Sequence, residues 1–256
     1  MRHFTLAATA LIGTTSALAH DGPRIWIGQR DGRIATFASD NDLDPTIYRP
    51  ARAFGAQFNN FFDIYTTEFP GFEVRRDNDT LGALAVAGET RFGFNILTPL
   101  YRFWPGVREE EPQLQAISAV PLPKPTAFEH LLISQGSRQA VTTNEPVAGY
   151  DFFDFFGVGD HSHLAFTYVN RDLTPGNAEG GIYAIGLELT SPTMASSEPF
   201  FVLFGKDIEV GDARFAVAMG AVSQIVIPEP SMMPVVVVAW MTMVRRSAAR
   251  APTPQG

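Results

Sequence analysis

The sequence predicts a mainly β protein, an antiparallel β-sandwich of the jelly-roll or immunoglobulin-like kind. Three observations carry that expectation. Short runs rich in β-branched and aromatic residues recur along the chain. Turn residues separate them every ~8–12 positions. A single stretch, "GDARFAVAMGAV" (211–222), has helical spacing. Many short strands at even spacing, without alternating helices, bury their apolar faces by packing as antiparallel layers.

The elements follow in order. "RIWIG" (24–28) and "GRIATFAS" (32–39) are joined through Gln29–Asp31 as a hairpin. "ARAFGAQF" (51–58) alternates, which puts Phe54, Ala56 and Phe58 on one face. "GFEVRR" (71–76), "TRFGFNIL" (90–97), "LYRFW" (100–104) and "QLQAISAV" (113–120) continue the pattern. "HLLISQ" (130–135) and "SRQAVTT" (137–143) flank Gly136, a tight-turn residue. "GYDFFDF" (149–155), "HSHLAFTYV" (161–169), "GGIYAIGLELTS" (180–191) and "PFFVLFG" (199–205) complete the strands. "VPLPKP" (120–125) is a proline-rich joint that could divide the body into two lobes, although one domain is preferred.

Both ends read differently from the body. At the start, Arg2 and His3 precede an apolar run from Phe4 to Gly13, and Ala17 and Ala19 form an A-x-A cleavage site. That pattern is a secretory signal peptide over residues 1–19, cut between Ala19 and His20 by signal peptidase. Its alternative is a buried N-terminal helix. At the other end, Pro228, Glu229 and Pro230 form a rigid break, since proline fixes φ and restricts its predecessor. Residues 231–244 are almost wholly apolar, and Arg245, Arg246 and Arg250 follow. As a helix the apolar run spans about 21 Å at 1.5 Å per residue, short of the ~30 Å hydrocarbon core. Basic residues beside such a run hold that side in the cytoplasm, which makes it a short C-terminal transmembrane helix. The alternative is a buried strand in "PVVVVAW".

The order Pro-Glu-Pro, apolar helix, arginines resembles the PEP-CTERM sorting signal of exported Gram-negative proteins. Pro234 within the helix and the short, methionine-rich run depart from the usual pattern. The resemblance implies processing by a membrane-embedded exosortase, a transient membrane tether, and a final place at the cell surface or outside it. It also implies an association with exopolysaccharide. The body between the ends is similar, diffusely, to other PEP-CTERM proteins of unassigned function, through the stretch 64–74 and the strand 159–166. The chain thus divides into a signal peptide (1–19), a β-sandwich body (20–227) and a sorting signal (228–256).

Composition excludes several classes. Residues 1–19 and 231–256 hold four arginines (Arg2, Arg245, Arg246, Arg250) and no acid, so the formal charge of −8 becomes −12 for residues 20–230. Such a body is repelled by nucleic acid and anionic lipid. The chain has no cysteine, so disulfides, thiolate metal sites and cysteine nucleophiles are ruled out. Stability has to come from a core, for which 21 phenylalanines supply material.

Candidate chemistry gathers at "GDHSHLAF". On a continuous strand His161 and His163 share one face, while Ser162, Leu164, Phe166 and Tyr168 share the other. Two imidazoles so placed can bind copper or zinc, with Asp160 orienting one of them and His20 supplying a third ligand through its α-amine and ring. That arrangement resembles a histidine brace. The plainer account is a pair of solvent-facing histidines. Asp40, Asp42 and Asp44 alternate like the start of a calcium loop, but Pro45 and Ala51 stand where an EF-hand needs glycine and glutamate. A solvated acidic turn or an irregular calcium site are the readings there. "REEEP" (108–112) reads as a solvated face.

Asp63, Glu68 and Glu73 could supply a carboxylate pair for glycoside hydrolysis. Aromatic-rich "NNFFDIYTTEF" and "YDFFDFFG" could stack on sugar or fill the core. There is no G-x-S-x-G, H-E-x-x-H, Walker or dinucleotide motif. The expectation is therefore an exported, non-catalytic structural or adhesive matrix component without a cofactor. A copper- or zinc-binding protein using His20, His161 and His163 is the alternative, and a carbohydrate-binding module the second alternative.

Overall fold

A computed structural model describes residues 23–39, 48–74, 90–103, 129–155, 161–170 and 172–223. In chain order the strands are β1 (Arg24–Arg30), β2 (Arg33–Ser39), β3 (Tyr48–Pro50), β4 (Ala53–Gln57), β5 (Asn59–Phe61), β6 (Ile64–Thr67), β7 (Gly71–Val74) and β8 (Thr90–Ile96). They continue with β9 (Tyr101–Phe103), β10 (Glu129–Gln135), β11 (Arg138–Val141), β12 (Val147–Phe155), β13 (His161–Ser162), β14 (Ala165–Asn170), β15 (Gly181–Thr190) and β16 (Phe200–Lys206), followed by α1 (Ala213–Ser223). The protein is mainly β, as the alternation of apolar runs and turns requires.

The strands form three sheets, ordered β13-β7-β1-β2-β3, β11-β10-β14-β6-β5 and β12-β8-β15-β16-β4, with β9 pairing β15 beyond β8. Two pairs depart from the antiparallel expectation. β1 and β7 run parallel, as do β16 and β4. Each parallel pair joins segments that other strands separate in sequence, a connection no hairpin can make. A second correction concerns 161–169, expected as one strand. β13 pairs β7 in the first sheet, whereas β14 pairs β10 and β6 in the second. The chain changes sheet at His163–Leu164, and Leu164 turns fully into the core at that corner.

One hydrophobic cluster draws on all three sheets. Phe166 of the second sheet meets Phe204 of the third at 4.9 Å between ring centroids, and Phe72 of the first meets Phe152 of the third at the same separation. Each fully buried phenylalanine contributes about 1.5–3 kcal/mol relative to an exposed one. β15 and β16 are buried on both faces. Tyr183, Ile185, Leu187 and Leu189 point into the main core, and Ile182 and Ala184 point the other way, with Phe201 and Leu203, against α1. That two-sided burial explains why these two segments read as nearly continuous apolar runs.

The helix expected over 211–222 is α1. Asp212 caps it: its Oδ1 accepts the Arg214 N–H at 2.7 Å, and its carboxylate takes the Arg214 guanidinium through Nε at 3.0 Å and Nη2 at 2.8 Å. The side-chain hydrogen bond from Arg214 holds the Asp212 carboxyl below its ordinary range. Among the described residues no helix is long and apolar enough to cross a membrane. Residues 1–19, the Pro228–Pro230 motif, the run 231–244, and Arg245 and Arg246 lie outside the described residues, as does the joint 120–125.

Candidate functional site

Three places concentrate polar or exposed chemistry. The first is the histidine pair. The ring centroids of His161 and His163 lie 5.5 Å apart, edge to face, so the expected proximity is found although the strand is broken between them. Their settings differ. His161 is exposed, opposite Glu73 in the β13–β7 ladder. His163 is half-buried, and its Nδ1 donates to the Glu68 carbonyl at 2.9 Å. Its ring stands edge-on to Phe69 at 5.8 Å and covers Gly71, where a Cβ would come within 2.8 Å of Cε1. His163 thereby fastens the turn after β6 to the corner before β14. Among the described residues no group of three or more His, Cys, Asp or Glu side chains is placed to hold a metal ion. His20, Ala19, Asp160 and the calcium-like Asp40, Asp42 and Asp44 lie outside those residues.

The second place is a buried polar knot. Arg102, 9 % exposed on β9, reaches Glu129 Oε1 at 2.9 Å and Glu179 Oε2 at 3.0 Å, and its guanidinium lies 5.9 Å from the Tyr183 ring centroid. Tyr168 donates its hydroxyl to Glu129 at 3.2 Å, and Tyr183 donates to the Glu179 carbonyl at 2.7 Å. Burial pushes both phenols well above the ordinary tyrosine range, so they act as neutral donors. Of the carboxylates expected to pair for hydrolysis, Glu73 is buried and bonded to Arg24, while Asp63 and Glu68 are exposed on other segments.

The third place is the β5–β6 hairpin and a cleft of about 270 Å³ beside it. Phe61 pairs with Ile64 across the ladder, leaving Phe62 and Asp63 as a two-residue turn with φ of 51° and 63°. Both central residues with positive φ define the hairpin turn in which Asn-Gly or Asp-Gly ordinarily stands. A bulky side chain there costs about 1–2 kcal/mol. Asn60 offsets part of that by accepting the Asp63 N–H at 2.9 Å. The strain sets two rings in water: Phe61 is 65 % and Phe62 87 % exposed, in edge contact at 4.9 Å. By contrast Phe152 and Phe153 of the second aromatic segment are core residues.

Asn60 and Tyr65, opposite each other in the ladder, turn to the cleft and are hydrogen-bonded at 3.2 Å. The opposite wall comes from the end of β16 and the turn after it, Lys206 to Glu209. Lys206 sits 4.7 Å from the Tyr65 ring centroid and is paired with Asp207. Gln57 closes the floor: its amide donates to the Gly205 carbonyl at 3.0 Å, while its buried Oε1 accepts no hydrogen bond.

Reasoning from sequence named the histidines and the aromatic segment 59–69, to which it assigned no strand. It missed the knot and the cleft. Tyr-Arg-Phe at 101–103 alternates like a half-exposed strand, so Arg102 reads as solvent-facing. The turn at Phe62–Asp63 carries no glycine or asparagine to announce it. No family model, no curated protein and no solved structure matches this chain.

Proposed function

We propose that this is an exported cell-surface or extracellular protein with a non-catalytic, adhesive role in the matrix around a bacterial cell. The observation that supports adhesion is the hairpin tip, where the fold accepts backbone strain to keep two phenylalanines in water. Export rests on the sequence patterns at Ala17–His20 and at Pro228–Arg246, and the resemblance of the latter to a PEP-CTERM signal supplies the processing enzyme and a transient helical tether over 231–244. The acidic balance suits a protein that stays in solution beside anionic membranes. Expression in a Gram-negative host that carries an exosortase is expected to yield a product starting at His20 and lacking the arginine tail, by intact-mass measurement of the culture and surface fractions. Full-length chain accumulating in the cytosol would sink the export reading.

A second reading, copper or zinc binding, is favoured by one observation, the 5.5 Å separation of the His161 and His163 rings. It predicts stoichiometric metal on protein with a native N-terminus at His20, lost in the His161→Ala/His163→Ala variant. Equal metal content in the two proteins would dismiss it. Because His163 also anchors Glu68, the variant's thermal unfolding should be recorded beside the metal analysis.

A further inference from the structure

We propose that the β5–β6 hairpin and its cleft form a binding site for a neutral, pyranose-based glycan chain. Phe62 stacks on the C–H face of one sugar, the Phe61 ring braces Phe62 edge-on, and the cleft takes the hydroxyl rim of a neighbouring sugar. The inference rests on the adhesive reading above and names its ligand.

Three features choose this occupant. A pyranose ring presents an apolar face and a polar edge, and the hairpin offers both complements within one turn of chain: bare aromatic rings at the tip and, one residue earlier, a wall of hydrogen-bonding groups. That wall is mixed in character. Asn60 and Lys206 carry donors, Asp207 and Glu209 carry acceptors, and Gln57 holds a buried oxygen without a donor. Hydroxyls, which donate and accept, satisfy such a set, whereas acyl chains do not. The cleft, at about 270 Å³, lies below the roughly 300–1,000 Å³ of sites for larger organic ligands and suits a single sugar ring. Two exposed rings offer far less than the ~800 Å² per partner of a stable protein interface. A chain with a net charge of −8 is repelled by nucleic acid and anionic lipid.

Strain supplies the test. Glycine adopts the φ of 51° at position 62 at no steric cost, so Phe62→Gly removes the ring without endangering the fold. Binding is read by calorimetry. The purified full chain is titrated with cellohexaose, with hexa-N-acetylchitohexaose, and with phosphatidylcholine vesicles. Saturable binding of at least one hexasaccharide is expected. Phe62→Gly should weaken it at least about tenfold, with a thermal midpoint equal to or above that of the parent. Glu209→Ala, at an exposed position, should weaken it about threefold.

Binding to neither hexasaccharide overturns the proposal, as does binding that Phe62→Gly and Phe61→Ala leave unchanged. Loss of vesicle adsorption alone in Phe62→Gly overturns it in favour of a lipid surface. Because the titration uses purified protein, it is independent of the export test. Glycan binding by a chain that remains in the cytosol defeats the export reading only, and an exported chain that binds no glycan defeats the site only.

Discussion

Replacing Arg102 by methionine is expected to lower the free energy of unfolding by about 3–5 kcal/mol, the loss typical of a buried ion pair stripped of one partner. Arg102 is 9 % exposed and is, among the described residues, the cation that faces Glu129, itself largely buried. Without it, the Glu129 carboxylate keeps, among the described residues, the Tyr168 phenol as its donor, in a region lined by Tyr183. The arm to Glu179 contributes little to the loss, because that side chain is 63 % exposed and water can replace the contact.

The same reasoning predicts a rescue. Arg102 Nε is buried without an acceptor, so the desolvation of the guanidinium is incompletely offset even in the parent protein. Arg102→Met combined with Glu129→Gln removes both charges and should recover more than half of the lost stability. Denaturant titrations of the two variants and the parent decide it. A single variant within about 1 kcal/mol of the parent, or a double variant no better than the single, would contradict the account of the knot.

Gly205→Ala should be comparably damaging, for a steric reason. A Cβ at that position would lie 2.1 Å from the Ile208 carbonyl oxygen and 2.8 Å from Gln57 Oε1. The first of these is backbone and cannot rotate away. Overpacking of this kind costs about 1–3 kcal/mol or more, and the displaced groups are the floor and wall of the cleft. Gly220→Ala is the matched control. Nothing lies within 4 Å of its Cβ position, and it sits inside α1. There alanine should stabilise by about 1 kcal/mol through helix propensity alone. Opposite signs at the two glycines, measured by thermal or chemical unfolding, are the expected result, and a neutral Gly205→Ala would contradict it.

Local physics made much of the fold legible. The runs at 24–30, 33–39, 90–96, 181–190 and 200–206 are strands because β-branched and aromatic side chains fit a pleated surface, and α1 begins where Asp212 can cap it. Pairing was another matter. Val202 lies beside Phe54 in a parallel ladder, and nothing in either segment encodes a partner so far away in sequence. The break at His163 was hidden for a related reason: the strand pattern is continuous, and the carbonyl that redirects the histidine comes from Glu68. The candidate site was least legible. Phe62 and Asp63 occupy a turn whose usual residues are absent, and aromatic residues in a β-rich chain are taken for core until their exposure is known.

The parallel union of β4 with β16 has a kinetic corollary. The Gln57 amide and the Gly205 carbonyl that it grips are 148 residues apart, so the last large sheet cannot close until nearly all of the polypeptide has been delivered. Loop closure over such a span is slow compared with forming hairpins or a helix. Were the chain exported as proposed, threaded N-terminus first through a narrow conduit, that delay would keep the emerging portion pliable, and the architecture would lock only after the trailing strand had come through.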